Sequence, residues 1–446
     1  MIWLLLIPFL GAFITSFIKN KIFAVAISLA PLLLLLSGGL TTEAYDWFRP
    51  LSIVFHLKMD GITLVFLYLT ALVIPIALIV SRPNYYALIL SLQGLLMGFF
   101  TAGDLVFFTI FWEAMLLPLY FLILLGNRPE KQAAAFKFLL YMFVGSSLMI
   151  AAVLGLYLEH QTFDIAALTP VAENTPYAPW IFGIFALAFA VKTPLFPFHS
   201  WLPDAYEQAP TAGTLLLSAL LSKAGIYGFL RIGIHLFPMT MALVSPFFLS
   251  FAIIGVLFGA LAAYAQNNFK RLLAYSSFSH VNFILAGLFT GHEIAIKGAI
   301  LQSFNHGIII TGLFLVSGWL EKRLISNSLF ASSGLAKFFP KLCWLTFIFI
   351  LASIALPGTN GFIGEVLILF GLFSKSPWLA TFLASSMILS AAYMLRWMQN
   401  SYFQTPLLPP INAKDIGIKH LLIALPLIIL IFWIGLYPEL LLKELS

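Results

Sequence analysis

Residues 191–231 read VKTPLFPFHSWLPDAYEQAPTAGTLLLSALLSKAGIYGFLR, and two lysines in this stretch decide the fold. Lys192 follows the apolar run PWIFGIFALAFAV and directly precedes Pro194 and Pro197. Lys223 sits inside TLLLSALLSKAGIYGFL, about eleven residues or more from either end of its apolar segment, or roughly 16 Å at a helical rise of about 1.5 Å per residue. A charge held that deep in a membrane segment costs a few kcal/mol or more. Such a residue faces a partner or a wet cavity and serves transport.

Composition makes the bilayer the solvent. Of 446 residues 61% are hydrophobic and only 9% charged, with a mean hydropathy of +1.02, more apolar surface than a soluble core of this size can hide. The 16% aromatic content fits interfacial aromatic belts. Cys343, the single cysteine, excludes a disulfide framework, an iron-sulfur site and a four-cysteine zinc site, so redox chemistry by this chain alone is not expected. The first segment, Ile2 to Phe17, runs into Lys19 and Lys21 without a small-residue cleavage site and reads as a retained span.

At about 20 apolar residues per crossing, spans fall near 2–18, 22–39, 61–81, 85–102, 104–126, 136–158, 179–198, 212–236, 244–265, 271–290, 296–319, 342–373, 377–399 and 420–441. The chain thus reads as an all-α polytopic membrane protein of about fourteen transmembrane helices, one domain over 1–446. With termini outside, 15 of the 23 basic residues fall in inner loops, so the positive-inside rule puts both termini on the outer, periplasmic side of a bacterial inner membrane. The loop carrying Glu159, Asp164 and Glu173 without a basic residue agrees. The net charge of +6 reflects this topology and implies no nucleic-acid partner. The polar stretches 40–60, 159–178 and 320–341 read as ordinary loops.

Helix breakers recur five spans apart. Pro194 and Pro197 interrupt the seventh span, and Pro357, Gly358 and Gly361 the twelfth. Proline removes a backbone donor, and irregular backbone at membrane depth is tolerated only where protein or water satisfies it. Paired breaks five spans apart predict two five-helix repeats, about 85–236 and 244–399, inverted because five is odd.

Two acids join the lysines. Glu113 lies near mid-depth in DLVFFTIFWEAMLLPLYFLILLG, either kept neutral by a bond to a neighbouring helix or paired with Lys192. Glu365 follows the second break in LPGTNGFIGEVLILF, either as a cap on the half-helix or as an acid at a position equivalent to Lys192. Moving a partner toggles protonation of such groups. The pattern predicts a proton relay with Glu113 as gate, Lys192 as the switchable site, Lys223 as connector and Glu365 as exit.

Polar residues mark further steps. His280 in LLAYSSFSHVNFI and His306 in LQSFNHGIII stand on the tenth and eleventh spans as relay or structural histidines. His199, beside Trp201 and Asp204, reads as a brace for the broken helix. The remaining histidines lie at ends or in loops, where solvation is the default, and Lys270 and Arg271 read as interfacial anchors.

The strings FWEAMLLPLYFLI, NNFKRLLAYSSFSHVNF, QSFNHG and LPGTNGFIGE, with residues 191–231, closely resemble the antiporter-like proton-translocating subunits of respiratory complex I, the M subunits above all. The resemblance implies a central proton axis on Glu113, Lys192, Lys223 and Glu365, and neighbouring L-like and N-like subunits in the membrane. It places NADH, FMN, iron-sulfur clusters and quinone in other subunits, with no cofactor or metal in this chain. A glutamate at 365, the connection QAPTAG and an end just after the fourteenth span favour M; the N-terminal part and several loops are short for that subunit. Two other readings compete: a subunit of a multi-subunit Na+(cation)/H+ antiporter, and a membrane cytochrome with His280 and His306 as haem ligands.

Overall fold

The computed structural model describes residues 1–126, 128–324, 327–329, 333–405 and 414–445. The chain divides into two compact units, one made of residues 1–201 and 208–247, the other of 202–207 and 248–446.

In the first unit the helices are α1 (Trp3–Phe17), α2 (Lys21–Leu36), α3 (Gly61–Val80), α4 (Tyr86–Thr101), α5 (Leu105–Ala114), α6 (Leu116–Leu124), α7 (Lys131–His160) and α8 (Ala178–Lys192). Short polar caps start several of them. Asn20 accepts from Phe23 N, Asp60 from Thr63 N and Asp104 from Val106 N, satisfying donors that the first helical turn leaves open. After α8 come α9 (Trp201–Gln208), whose residues 202–207 group with the second unit, and α10, the continuous span Thr211–Ile234.

α11 (Pro238–Ala265) carries the chain into the second unit, which holds α12 (Phe269–Phe289), α13 (Glu293–Glu321), α14 (Pro340–Ser353), α15 (Asn360–Lys375), α16 (Pro377–Phe403) and α17 (Ile418–Leu436). Among the described residues, nine helices are long and apolar enough to cross a membrane, and four more are shorter apolar helices. A helix stands in each of the fourteen apolar segments of the sequence.

Residues 40–60 differ from the loop expected. They form an antiparallel hairpin, β1 (Glu43–Phe48) with β2 (Ile53–Leu57), in which Glu43 faces Leu57. Aromatic and β-branched residues in EAYDWF and IVFHL favour extended chain. Lys58 N→Thr101 O (2.7 Å) and Gly103 N→His56 O (2.8 Å) tie the hairpin's end to the turn between α4 and α5. The stretch 320–341 lies partly outside the described residues.

The two proline-bearing segments lie between helices. α8 stops at Lys192 and α9 begins at Trp201; α14 stops at Ser353 and α15 begins at Asn360. In each gap an amide reaches five residues back instead of four: Leu195 N→Ala190 O (2.8 Å) and Leu356 N→Leu351 O (3.0 Å). Gly358 supplies φ +91° in the second, a conformation costly for a residue with a Cβ. Lys192 is the last residue before its gap, whereas Glu365 lies inside the helix that follows the other. The two are therefore not positional counterparts.

Arg231 is buried rather than a solvated loop residue. It donates to Asp60 at 2.6 and 2.8 Å, to Thr63 Oγ1 at 2.8 Å and to Tyr227 OH at 3.1 Å, clamping the end of α10 to the start of α3. The loop histidines are likewise engaged, His56 with Asp164 (2.8 Å), His160 with Thr175 (2.7 Å) and His235 with Leu230 O (2.8 Å). Lys270 and Arg271 are not lipid-facing anchors. In the second unit Lys270 is buried 3.8 Å from Glu321, and Arg271 bonds Asp204 (3.2 Å) and Glu207 (2.8 Å).

Burial alone would raise the carboxyl of Asp60, but the Arg231 guanidinium outweighs it and holds the group well below the usual carboxylate range. A depressed acid contributes stability above its unfolded value, about 4, and loses it only as pH falls through the folded value. The clamp should survive mild acid. Asp60→Asn strands a buried guanidinium and should cost roughly 3 kcal/mol, lowering the thermal midpoint of the assembled protein. The double variant Asp60→Asn with Arg231→Met should recover most of that loss.

Candidate functional site

In the first unit the site grows from a break in the fifth apolar segment. α5 ends at Ala114 and α6 starts at Leu116, one residue apart, with Pro118 unable to donate to the ladder. Lys192, 1% exposed at the end of α8, donates to the carbonyl of Trp112 at 2.9 Å. Its Nζ also lies 3.6 Å from the centroid of the Trp112 ring. A bond from a charged donor is worth about 1.5–3 kcal/mol and a desolvated cation–π contact about 2 kcal/mol. Together they are on the order of the 2.5–3.5 kcal/mol charged for a lysine at mid-membrane on insertion scales.

Glu113, next in sequence to Trp112, is half-buried and faces Ser146 of α7 and Lys192. Among the described residues the carboxylate and the amine make no direct ion pair. Both sequence readings of Glu113 thus have a neighbour, a serine on an adjacent helix and a lysine within electrostatic range.

Lys223 is fully buried on α10, where its Nζ donates to Ser218 O (2.8 Å) and Ser222 Oγ (3.2 Å). π-helical turns at Leu217–Leu221 and Phe229–Ile234 flank it, a local widening common at functional positions. Gly225 lets α10 lie directly on α8: a Cβ there would overlap Thr193 Oγ1 and come 2.7 Å from Phe189 O. The two lysine-bearing helices pack closely just past Lys192.

The second unit assembles the other expected residues into one cluster. His280 Nδ1 on α12 stands 3.3 Å from Glu365 Oε1 on α15, and Gln302 Nε2 on α13 donates to the same oxygen at 3.4 Å. The His280 and His306 rings are 5.9 Å apart between centroids. Glu365 is 3% exposed and bonds across the bundle, so it is not a cap on its own helix. Nε2 of His280 is buried without a protein partner among the described residues.

A polar frame surrounds the cluster. Asn305 Nδ2 donates to Asn360 O (2.7 Å), Asn360 Nδ2 to Asn305 Oδ1 (3.2 Å), and Ser276 Oγ and Tyr393 OH are 2.9 Å apart. Ser276, Gln302 and Asn305 were visible as a polar run in the sequence. Trp112, Ser146, Asn360 and Tyr393 were not singled out; an aromatic next to a buried acid, as in FWEAM, was the available signal for Trp112. His199 stacks on Phe196 (5.6 Å) and Trp201 Nε1 donates to Val191 O (3.1 Å), bracing the gap after α8. Among the described residues, no group of three or more His, Cys, Asp or Glu is arranged to hold a metal.

Apolar helices with two buried acid–base centres define an antiporter-like, ion-translocating membrane subunit. Residues 102–391 match the family model described as NADH:quinone oxidoreductase/Mrp antiporter, transmembrane. The chain is 36% identical over 407 residues to NADH-quinone oxidoreductase subunit M of Rhodobacter capsulatus, covering 86% of this chain and 79% of that protein. A subunit in the structure of respiratory complex I from Thermus thermophilus with bound NADH superposes with a TM-score of 0.92 at 31% identity, covering 100% of each chain. A chain of the Mrp complex from a Dietzia species shares the fold, with a TM-score of 0.88 at 21% identity over 99% of this chain and 95% of that one. The chain belongs to the antiporter-like transmembrane family of NADH:quinone oxidoreductase and Mrp subunits, and within it to the M-type subunits of complex I.

The lysine cradle has a direct test. Trp112→Phe keeps a ring face for Lys192 and Trp112→Leu removes it, so Trp112→Leu should lower proton translocation several-fold more than Trp112→Phe. Equal effects of the two variants at matched assembly would assign Trp112 to packing alone.

Proposed function

We propose that this chain is a proton-translocating membrane subunit of an NADH:quinone oxidoreductase, carrying protons through its buried Glu, Lys and His groups while other subunits reduce quinone. The observation that carries the reading is the contact of Glu365 with His280, beside His306, in a family whose relatives are named as subunits of that oxidoreductase. A carboxylate 3.3 Å from an imidazole offers two proton sites whose occupancy depends on each other.

In this reading Glu113 gates entry, Lys192 switches, Lys223 connects and Glu365 releases. The fourteen segments cross the membrane, with both termini on the outer side of a bacterial inner membrane. Two inverted five-helix repeats, about 85–236 and 244–399, give the single domain its plan, broken at Pro194 and Pro197 and again at Pro357 and Gly358. The partners are L-like and N-like membrane subunits, and NADH, FMN, iron-sulfur clusters and quinone belong to other subunits. The backbone bonds that reach five residues back in both gaps support the pairing of the breaks.

A cation/proton antiporter subunit is the second reading, favoured by the fold shared with the Mrp complex. Sodium-dependent proton exchange in vesicles lacking any redox partner would select it. For the first reading, Lys192→Ala and Glu365→Gln in the assembled, reconstituted oxidoreductase should each remove most coupled proton pumping. Unchanged pumping with normal assembly in both variants would refute it.

A further inference from the structure

The first unit holds a cavity with polar side chains in its lining, apart from Glu113, Lys192 and Lys223. It is a mostly enclosed cavity of about 40 Å³ lined by His56, Lys58, Thr169, Tyr227, Arg231 and His235 among others. At about 10–15 Å³ per water, it has room for about three water molecules. Its lining is built, not incidental. Gly103 brings the chain against the His56 ring, since a Cβ there would come 2.8 Å from Nδ1, and Arg231 is fixed by Asp60.

Both imidazoles are oriented the same way. His56 Nδ1 lies 2.8 Å from the Asp164 carboxylate and His235 Nδ1 lies 2.8 Å from the Leu230 carbonyl, and each oxygen acts as acceptor. Nδ1 must then carry the hydrogen, so in the neutral rings Nε2 is the free lone pair. Two such lone pairs give the chamber two nitrogens that can accept a hydrogen bond from water. The charged groups around them are Lys58, Asp60, Asp104, Asp164 and Arg231, with Asp104 paired to Asp164 across a backbone bridge.

The chamber also has a wall. Tyr227 follows Lys223 by four residues on α10, and its hydroxyl is fully engaged, donating to Phe100 O (2.5 Å), accepting from Arg231 Nε and lying 3.1 Å from Thr63 Oγ1. Phe66, Phe99 and Phe100 pack around the Tyr227 ring with centroids 5.1–5.6 Å away. Lys223 points its amine the other way, toward Ser218. We propose that this cavity is a hydrated proton-exchange chamber of the first unit, with His56 and its Asp164 partner as the proton-binding group, His235 as a second acceptor and Tyr227 as the closed barrier toward Lys223.

The proposal rests on the proton-conducting reading of the chain. Two measurements on the assembled oxidoreductase test it. Hydroxyl-radical footprinting in H2-18O should label Tyr227 and His56 inside the wild-type protein, with exposed Tyr45 as positive control; a labelled Tyr45 beside an unlabelled Tyr227 and His56 means a dry cavity and overturns the chamber. In reconstituted vesicles, His56→Gln and His235→Gln should each lose part of the protons moved per electron, and loss of this chain's whole share is expected when both are combined. An undiminished ratio in the double variant, with Lys192→Ala abolishing this chain's share in parallel, overturns the chamber alone. An undiminished ratio in Lys192→Ala as well overturns the proton-conducting reading on which it stands.

Discussion

An ionisable side chain inside an apolar helix bundle is out of reach of bulk water, so the protein itself must supply its partners. The architecture of this chain follows from that constraint. Lys192 meets it with a carbonyl and an aromatic face, Lys223 with a carbonyl and a hydroxyl of its own helix, and Glu365 with an imidazole and an amide from two neighbouring helices. Each solution requires a local departure from regular helix. α8 ends at Lys192, Lys223 lies between two π-helical turns, and α15 starts afresh after a gap, five residues before Glu365. Irregular backbone is placed where charge must be held, and buried polar partners cover both.

The two units solve the problem with different chemistry. The first sets a lysine against the carbonyl and ring of a tryptophan and keeps its glutamate nearby without a direct ion pair. The second places a carboxylate against one histidine with another close behind, so all three side chains are of types that can carry a proton.

Much of this was legible in the residues. Long apolar runs gave the apolar helices, while α9 (Trp201–Gln208), a polar helix between two expected spans, carries no such run. Glu113, Lys192, Lys223 and Glu365 stood out since a charge in an apolar run is costly, and His280 and His306 lay in polar helix faces. Other features depend on packing across the chain. The role of Arg231 was hidden because its partner Asp60 lies far away in sequence. The hairpin at Glu43–Leu57 was hidden in a stretch with no helical period and mixed polarity. Trp112 reads as ordinary membrane aromatic until Lys192 is seen on its face, and the position of Glu365 beyond its gap, instead of at it, emerges only when the helix ends are known.

The central claim is that Glu365 and His280 exchange a proton during turnover. Infrared difference spectroscopy of the assembled oxidoreductase, resting against turning over, reads this in the stretch of the protonated carboxyl group. The account predicts a carboxyl band that changes with turnover, disappears in Glu365→Gln and shifts in His280→Gln. A turnover spectrum with no carboxyl change, or with a band that persists in Glu365→Gln, would contradict it.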